Sequence, residues 1–416
     1  MYVENHHNTN LKKLLLYLSI RTRKQKQQTD MKKTIIAAAA LLMAAGSFAQ
    51  AQTKAPEYEF TTIKENKITP VKNQFRSGTC WCFSTLSFIE SEILRQTGVE
   101  TDLSEMFVVS RAYHDRAVKY VRLDGTLGFS AGSSFGDVFQ VIKKYGIATQ
   151  EQYPGLQYGT SLPEQNEMDA VLAAYVRAVV ANPNKKLSTA WLKGLDGVLQ
   201  AYQGEWPELS TTQAKRDELK INVDDYVNIC SFASEELYQP HIIEVADNWR
   251  WGAAYNVTMD EMMDILYKAV EGGYTVAWGA DVSESGFTRN GLAIVPKPVE
   301  AKPAAGSDQE HWLGKEEAKP EQAAAALPEE MTITDEMRQL AYDCKETTDD
   351  HGMHIFGVAK DQNGNKYFMV KNSWGDSGKY HGIWYASDAY VRYKTLNFIV
   401  HKDALSKDMK KKLNIK

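Results

Sequence analysis

The sequence predicts an α+β fold with two lobes, one helical and the other rich in β-strands. Apolar residues recur at helical spacing through much of the first half, whereas the last quarter contains short strand-like runs around a strong hairpin signal. Of the 416 residues, 43% are hydrophobic, which is enough to bury one large core or two smaller ones. This order of helical and strand-rich segments suits an α+β fold.

A secretory signal peptide is predicted over residues 31–51. Two lysines, an apolar run over residues 35–45 and an Ala-Gln-Ala tripeptide supply its basic start, its core and its cleavage site. The run is too short to span a bilayer stably, so we expect no stable membrane anchor. The sequence therefore predicts an exported protein, periplasmic or extracellular.

Two further segments are defined by this signal. Residues 1–30 precede it and are interpreted as a non-native upstream extension, or else as a long start of the signal itself. Residues 52–416 are interpreted as the folded domain.

Charge and cysteine content limit the classes of partner. The formal net charge is −5, and residues 1–51 hold more basic than acidic residues, so the remaining chain is more acidic still. This balance argues against nucleic acid or an anionic membrane as a partner. The chain has four cysteines. Cys80 and Cys82 are too close in sequence to bridge comfortably, and pairing of Cys230 with Cys344 is left open.

The helices are predicted from apolar periodicity. In the first, Cys82, Leu86, Ile89 and Ile93 form a stripe with spacings of 4, 3 and 4 residues, and Gly98 is the predicted stop. The other predicted helical segments are residues 136–146, an amphipathic stretch over 164–250, and residues 259–273.

The strands are predicted mainly near the C-terminus. Asn363-Gly364 is a hairpin turn signal between two apolar runs. The predicted strands are residues 274–279, 352–358, 366–370, 383–385 and 396–400. Residues 297–330, rich in Pro, Ala, Glu and Lys, are interpreted as an exposed low-complexity loop without a readable function.

Cys80 is the candidate nucleophile. It begins the first predicted helix, and the partial positive charge of a helix N-terminus lowers a thiol pKa. Cys82 is the alternative, but it lies about 200° further round the helix. There it belongs to the apolar stripe, where a free cysteine acts as a small hydrophobic residue.

A thiolate nucleophile needs a base and a group that orients the base. His351 stands just before one strand of the predicted hairpin, and Asn372 stands just after the other, so both lie at the same end. The Asn372 amide oxygen can there hold the imidazole N–H and fix its tautomer. His354 is the local alternative, but it is predicted to point into the strand ladder. The other histidines lie outside any motif.

Acyl transfer also needs donors for the developing oxyanion. Gln74, six residues before Cys80, has a suitable side-chain amide. The backbone N–H of Cys80 is the second candidate donor, because the first N–H groups of a helix have no intrahelical partner.

Four motifs in this order resemble the papain superfamily, and within it the bleomycin hydrolase and aminopeptidase C branch. They are Thr69-Pro70-Val71-Lys72-Asn73-Gln74, Ser77-Gly78-Thr79-Cys80-Trp81, Asp350-His351-Gly352-Met353 and Lys371-Asn372-Ser373-Trp374-Gly375. The papain branch has a cysteine three residues before the nucleophile, whereas this chain has Ser77, as bleomycin hydrolases do.

The resemblance implies a papain-like two-lobed fold with an extra helical insert, at about residues 160–255. It assigns the catalytic roles to Cys80, His351 and Asn372, and the oxyanion role to Gln74. It also implies peptide substrates and no cofactor.

Two supporting positions follow from the same resemblance. Trp374 would shield the hydrogen bond between histidine and asparagine from water. Gly132 and Ser133 match the segment that pairs with the substrate backbone, although the family tends to have glycine at both positions.

Chain length favours the bleomycin hydrolase side. Cys80 and His351 are separated by roughly 270 residues, against about 130–150 in the papain branch. The short segment before residue 69 also leaves no room for a long inhibitory propeptide.

In this branch a C-terminal arm enters the cleft and its carboxylate binds the substrate's amine, but the tail ending at Lys416 looks short. The family forms hexameric rings, which makes a homo-oligomer an expectation.

The sequence therefore predicts a cysteine peptidase, with aminopeptidase activity favoured. An endopeptidase with the same mechanism and a catalytically inactive peptide-binding relative are the alternatives. A zinc protein is the weakest of the readings, because no Cys or His pair has ligand spacing.

Overall fold

The structure is a computed structural model that describes residues 57–183, 186–298 and 327–416. From Tyr58 onward these residues belong to one compact unit. Their strands are β1 (Thr61–Glu65), β2 (Tyr226–Cys230), β3 (Pro240–Ile242), β4 (Ala253–Asn256), β5 (Val276–Ala280), β6 (Leu292–Ala293), β7 (His351–Lys360), β8 (Lys366–Lys371), β9 (Ile383–Ser387) and β10 (Thr395–His401).

Ten α-helices accompany these strands within the described residues. They are α1 (Cys80–Thr97), α2 (Glu105–Arg122), α3 (Phe135–Tyr145), α4 (Asn166–Val180), α5 (Ala190–Gln203), α6 (Leu209–Glu218), α7 (Met259–Glu271), α8 (Asp335–Asp343), α9 (Asp388–Lys394) and α10 (Lys407–Lys412).

The described strands form one mixed sheet. Its order is β3-β4-β2-β10-β5-β7-β8-β9-β6, and β1 pairs with the far half of β7. The pairs β2–β4 and β6–β9 are parallel, and the other pairs are antiparallel. The predicted hairpin is confirmed, since β7 pairs with β8 from Lys360 opposite Lys366 to His354 opposite Lys371.

Two separate large cores confirm the two-lobed α+β prediction. One core is built mainly from α1 to α5, and the other from the central strands with α7, α9 and α10. Apolar burial of this kind is the main favourable term in folding, at about 25 cal/mol per Å².

Helix α1 lies between the two lobes and packs on β5 and β7. Its predicted stripe is buried, and it ends at Gly98, whose φ of 74° is the left-handed conformation of a helix C-cap. Gly352 on β7 permits the close approach of strand and helix. A Cβ there would lie 2.7 Å from Ser84 Oγ and 3.3 Å from the carbonyl oxygen of Cys80.

The predicted helical insert needs correction. The stretch 164–250 is helical only as far as Glu218, because residues 226–256 contribute β2, β3 and β4. Strand β2 pairs with β10 along its whole length. That pairing joins residues far apart in sequence, which local periodicity cannot detect.

Several predicted segments lie outside the described residues. They are residues 1–30, the signal peptide at 31–51, and most of the predicted 297–330 loop. The two ends of that loop are described and pair with each other, with Pro296 opposite Glu330. In the described part of the chain, no helix is both long and apolar enough to cross a membrane.

Candidate active site

A cavity of about 1060 Å³ brings together residues of both lobes. Cys80 and Gln74 line it from the helical side, and His351 and Gly352 line it from β7. The sequence assigned chemical roles to four residues. Three of them, Cys80, Gln74 and His351, line this cavity, and the fourth, Asn372, is hydrogen-bonded to His351.

Cys80 is the first residue of α1 and is partly exposed. The backbone N–H groups of Gly352 and Trp81 lie close enough to its sulfur to oppose the rise in the pKa of the thiol. As the first helical residue, it has a backbone N–H without an intrahelical partner. Cys82 is completely buried and its thiol contacts the carbonyl oxygen of Glu105 at 3.5 Å, so the structure places it in the helical core.

His351 and Asn372 meet at the same end of the β7–β8 hairpin. His351 Nε2 lies 2.8 Å from Asn372 Oδ1, and both residues are buried. Because the amide oxygen accepts, the proton belongs on Nε2, and Nδ1 is left as the basic nitrogen. His354 lies elsewhere, buried with its Nδ1 2.9 Å from Ser87 Oγ.

Trp374 covers the imidazole. Its ring stacks on that of His351 with centroids 4.8 Å apart and an interplanar angle of 30°. The indole is 39% exposed, so it separates His351 from solvent. Phe287 and Trp384 contact its ring edge-on at 6.0 and 5.4 Å and hold it in place.

Gln74 is fixed by the residue next to Asn372. Ser373 Oγ donates to Gln74 Oε1 at 2.6 Å, and the Gln74 backbone N–H donates to the Ser373 carbonyl at 2.8 Å. Gln74 Nε2 donates one hydrogen to the Ser77 carbonyl at 2.9 Å. An amide has two such hydrogens, so the second can donate into the cavity.

A buried charged cluster holds the loop that carries Gln74. Lys72 Nζ lies 2.8 Å from Glu90 on α1 and 2.7 Å from Glu105 on α2. Thr69 Oγ1 donates to Glu90 and accepts from Lys371 Nζ at 3.0 Å. The cluster thus ties the loop to both helices and to the end of β8.

Gly132 and Ser133 also line the cavity. The Ser133 side chain is directed into the protein, where its Oγ donates to Asp137 at 2.5 Å and accepts from Trp249 Nε1 at 2.7 Å. Its hydroxyl therefore does not obstruct the cavity, and its difference from the family's glycine has a structural explanation.

Arg116 on α2 holds the segment that contains Gly132 and Ser133. This role of Arg116 was not predicted from the sequence. The buried guanidinium donates to the carbonyl oxygens of Gly128, Ser130 and Gly132. No motif surrounds Arg116, and α2 itself was not predicted, so the sequence offered no signal for this role.

Burial dominates the ionisation of the two candidate catalytic groups. It raises the pKa of the Cys80 thiol to about 12, an effect that nearby N–H donors partly oppose. It lowers the pKa of His351 to about 4, against the opposing effect of Asn372. Burial therefore opposes the lowering of the thiol pKa that the helix N-terminus was expected to supply.

Both groups are thus neutral near pH 7. Creating either charge alone in the buried site is unfavourable. Transfer of the thiol proton to the imidazole creates two opposite charges together, and their attraction offsets part of that cost. The arrangement can supply a nucleophile at the moment of reaction.

The remaining cysteines, Cys230 and Cys344, do not line this cavity. All four cysteines are free, with Cys230 buried and Cys344 exposed, so the pairing left open is not formed. Among the described residues, no group of three or more His, Cys, Asp or Glu side chains could hold a metal ion.

Comparison with known proteins covers most of the described chain. A family described as papain family cysteine protease matches residues 56–255, and one described as Peptidase C1-like family matches residues 329–416. Aminopeptidase C from Lactococcus lactis subsp. cremoris is 22% identical over 397 residues, covering 85% of this chain and 84% of that protein. Cathepsin L2 from Homo sapiens is 34% identical over 92 residues, which cover 22% and 25% of the respective chains.

The fold has a solved counterpart. The crystal structure of PepW from Lactobacillus rhamnosis HN001 superposes with a TM-score of 0.64 at 19% identity, covering 94% of each chain. The family matches and the extended similarity to aminopeptidase C agree with this shared fold. The chain therefore belongs to the papain family of cysteine proteases and is a cysteine-type peptidase.

Proposed function

We propose that this cysteine peptidase is an aminopeptidase in which Cys80 is the nucleophile. His351 is the base, Asn372 orients it, and Trp374 shields their hydrogen bond. The observation that carries the assignment is that Cys80 lines the same cavity as a buried histidine held at 2.8 Å by an asparagine oxygen.

The first half of the reaction forms an acyl-enzyme. The Cys80 thiol gives its proton to His351 Nδ1, and the sulfur attacks the carbonyl carbon of the peptide bond. Gln74 Nε2 and the Cys80 backbone N–H donate to the oxygen that becomes negative. The C–N bond then breaks, and the imidazolium gives its proton to the departing amine.

The second half releases the acyl group. His351 takes a proton from water, the resulting hydroxide attacks the thioester, and the C–S bond breaks. The proton returns to the sulfur, which restores the neutral pair. Asn372 holds the ring through both halves, so that Nδ1 faces the reacting atoms each time.

Two observations favour an aminopeptidase over an endopeptidase. The similarity to aminopeptidase C spans 85% of the chain, whereas the similarity to cathepsin L2 spans 22%. Ile415 also lines the cavity, so the C-terminal segment borders the space where a peptide would lie. If the C-terminal segment narrows the cavity, the site would favour substrates with few residues on the N-terminal side of the cleaved bond.

Aminopeptidase activity is tested with a pair of fluorogenic substrates. An aminoacyl substrate with a free amine should be cleaved well, and its N-acetylated twin poorly, when kcat/KM is measured for both. An unstructured protein offered as substrate should be shortened only from its N-terminus. Equal cleavage of the twins, or internal cuts in the protein, would assign the chain to the endopeptidases and leave the roles of Cys80 and His351 unaffected.

We also propose that the protein is exported and that it self-associates. The support for export is the three-part segment at residues 31–51, and the support for a homo-oligomer is the resemblance to a hexameric branch. Intact-mass measurement of native protein should give an N-terminus near Gln50 or Gln52. A native mass that includes residues 1–30 would contradict the export proposal.

A further inference from the structure

Two aspartates line the cavity beside the nucleophile and have no role in the reaction described above. Asp247 precedes β4, and Asp349 lies two residues before His351. Both carboxylates are close enough to Cys80 to raise the pKa of its thiol. They are also close enough to each other for Asp247 to raise the pKa of Asp349.

Asp247 is held at the cavity wall by close packing. A Cβ on Gly132 would collide with its carboxylate, so the absence of a side chain at Gly132 is what admits Asp247 there. The Arg116 guanidinium lies 3.9 Å from Asp247 Oδ1, which is the outer limit of an ion pair. Arg116 directs its donors mainly to backbone carbonyls, so it neutralises Asp247 only in part.

Asp349 has no compensating partner at all in the described part of the chain. Neither of its oxygens accepts a hydrogen bond or forms an ion pair there. Burial, together with the negative charges of Asp247 and Asp350, raises the pKa of Asp349 to about 7. A carboxylate placed in this way is costly unless a cation comes to it.

The cations that line the cavity are engaged elsewhere. Arg250 bonds to Asp115 at 2.7 Å and to Asp137 at 2.8 Å. The Lys119 ammonium lies 3.4 Å from the centroid of the Trp251 ring. Neither of these cations is paired with Asp247 or Asp349, so a cationic group of a ligand can offset their charge.

We propose that Asp247 and Asp349 bind the free ammonium group at the N-terminus of the substrate. This inference rests on the proposed aminopeptidase function and names the groups that recognise its substrate. In the acyl-enzyme the α-nitrogen is two covalent bonds from the carbon attached to Cys80 Sγ, so it lies next to the sulfur. A free α-amine carries a charge and three donors there, whereas the amide of an internal residue has one N–H and no charge.

The two carboxylates thus select for exopeptidase cleavage. An ammonium offsets the repulsion between them and takes the place of the missing counter-ion. An N-blocked substrate leaves the charges of both carboxylates uncompensated. This weakens its binding, and the loss of binding free energy is larger the less water reaches the carboxylates.

The test is the isosteric variants Asp349→Asn and Asp247→Asn, assayed on the free-amine substrate and its N-acetylated twin. We expect kcat/KM for the free amine to fall about 10- to 100-fold, since a charged hydrogen bond is lost, while kcat/KM for the acetylated twin stays the same or rises, because the asparagine carries no uncompensated charge. Cys80 should still react with an epoxide inhibitor, which shows that the site is folded. Asp224→Asn is the matched control, because Asp224 also lines the cavity but is exposed and paired with Lys143 at 3.0 Å.

Three results would overturn the proposal. Variants that keep the full preference for a free amine would show that other groups bind it. An equal loss on both twins would show that the aspartates support the catalytic machinery. A loss confined to an N-acetylated substrate with lysine or arginine at the cleavage site would show that they bind a basic side chain. If the unmodified enzyme cleaves the free-amine substrate and its acetylated twin equally, the proposed aminopeptidase function itself is wrong. That result is distinguishable from the three outcomes above, which concern the variants.

Discussion

Replacing Cys80 with serine should abolish peptide hydrolysis, with a fall in kcat of roughly 10⁴- to 10⁶-fold, as expected when the nucleophile of a cooperating set is removed. A serine hydroxyl has a far higher pKa than a thiol, and a buried imidazole with a pKa of about 4 is a weak base toward it. Turnover of a fluorogenic peptide and labelling by an epoxide reagent are the two measurements.

The matched control is Cys82→Ser. Cys82 is fully buried in the helical core, so this variant should keep its activity and lose only stability. Cys344 is exposed and would also react with a general thiol reagent, so labelling is best followed in a Cys344→Ser background. An inactive Cys82→Ser enzyme beside an active Cys80→Ser enzyme would reverse the assignment.

Replacing His351 with alanine should lower kcat by several orders of magnitude, while KM changes little. The imidazole is the proposed acceptor of the thiol proton, and its loss removes the base in both halves of the reaction. Asn372→Ala should cost less, because the ring and its basic nitrogen remain and only their orientation is lost.

The comparison of these two variants is informative in itself. Pre-steady-state kinetics should show slowed acylation in both, with the larger effect for His351→Ala. A His351→Ala enzyme that retains near-normal kcat would exclude histidine as the base and would direct attention to another group in the cavity. Circular dichroism and unfolding by urea would check that each variant is folded.

The residues to which the sequence assigned roles lie in short motifs, and the structure brings them together. Helix α1 was predicted from its stripe and begins at Cys80, and the β7–β8 hairpin was predicted from Asn363-Gly364. A hairpin has a fixed geometry, so the meeting of His351 and Asn372 followed from the turn.

What the sequence could not show depends on contacts between distant segments. The strands within residues 226–256 were interpreted as helical, because the pairing of β2 with β10 and of β4 with β2 and β3 is not visible in local periodicity. Arg116 and Asp247 are positioned by packing against residues 130–133 of the cavity lining. No sequence motif predicts that packing. The effect of burial on the thiol pKa was missed for a similar reason, since burial is a property of the whole fold.

The end of β8 carries a consequence for how this peptidase becomes active. Four successive residues there serve four purposes: Lys371 bonds to Thr69, Asn372 to His351, Ser373 to Gln74, and Trp374 stacks on His351. Two of these bonds join residues 302 and 299 positions apart. A slip of one residue in β8 would turn every one of these side chains to the opposite face.

The hydrogen bonds that hold Gln74 and its loop therefore form only after segments about 300 residues apart in sequence have met. While the ribosome is still making residues near 370, the segment around Cys80 has neither its base nor a fixed oxyanion donor, and partly folded chains cannot cleave their neighbours. The large separation in sequence between Cys80 and His351 thus delays assembly of the active site until most of the chain has been made.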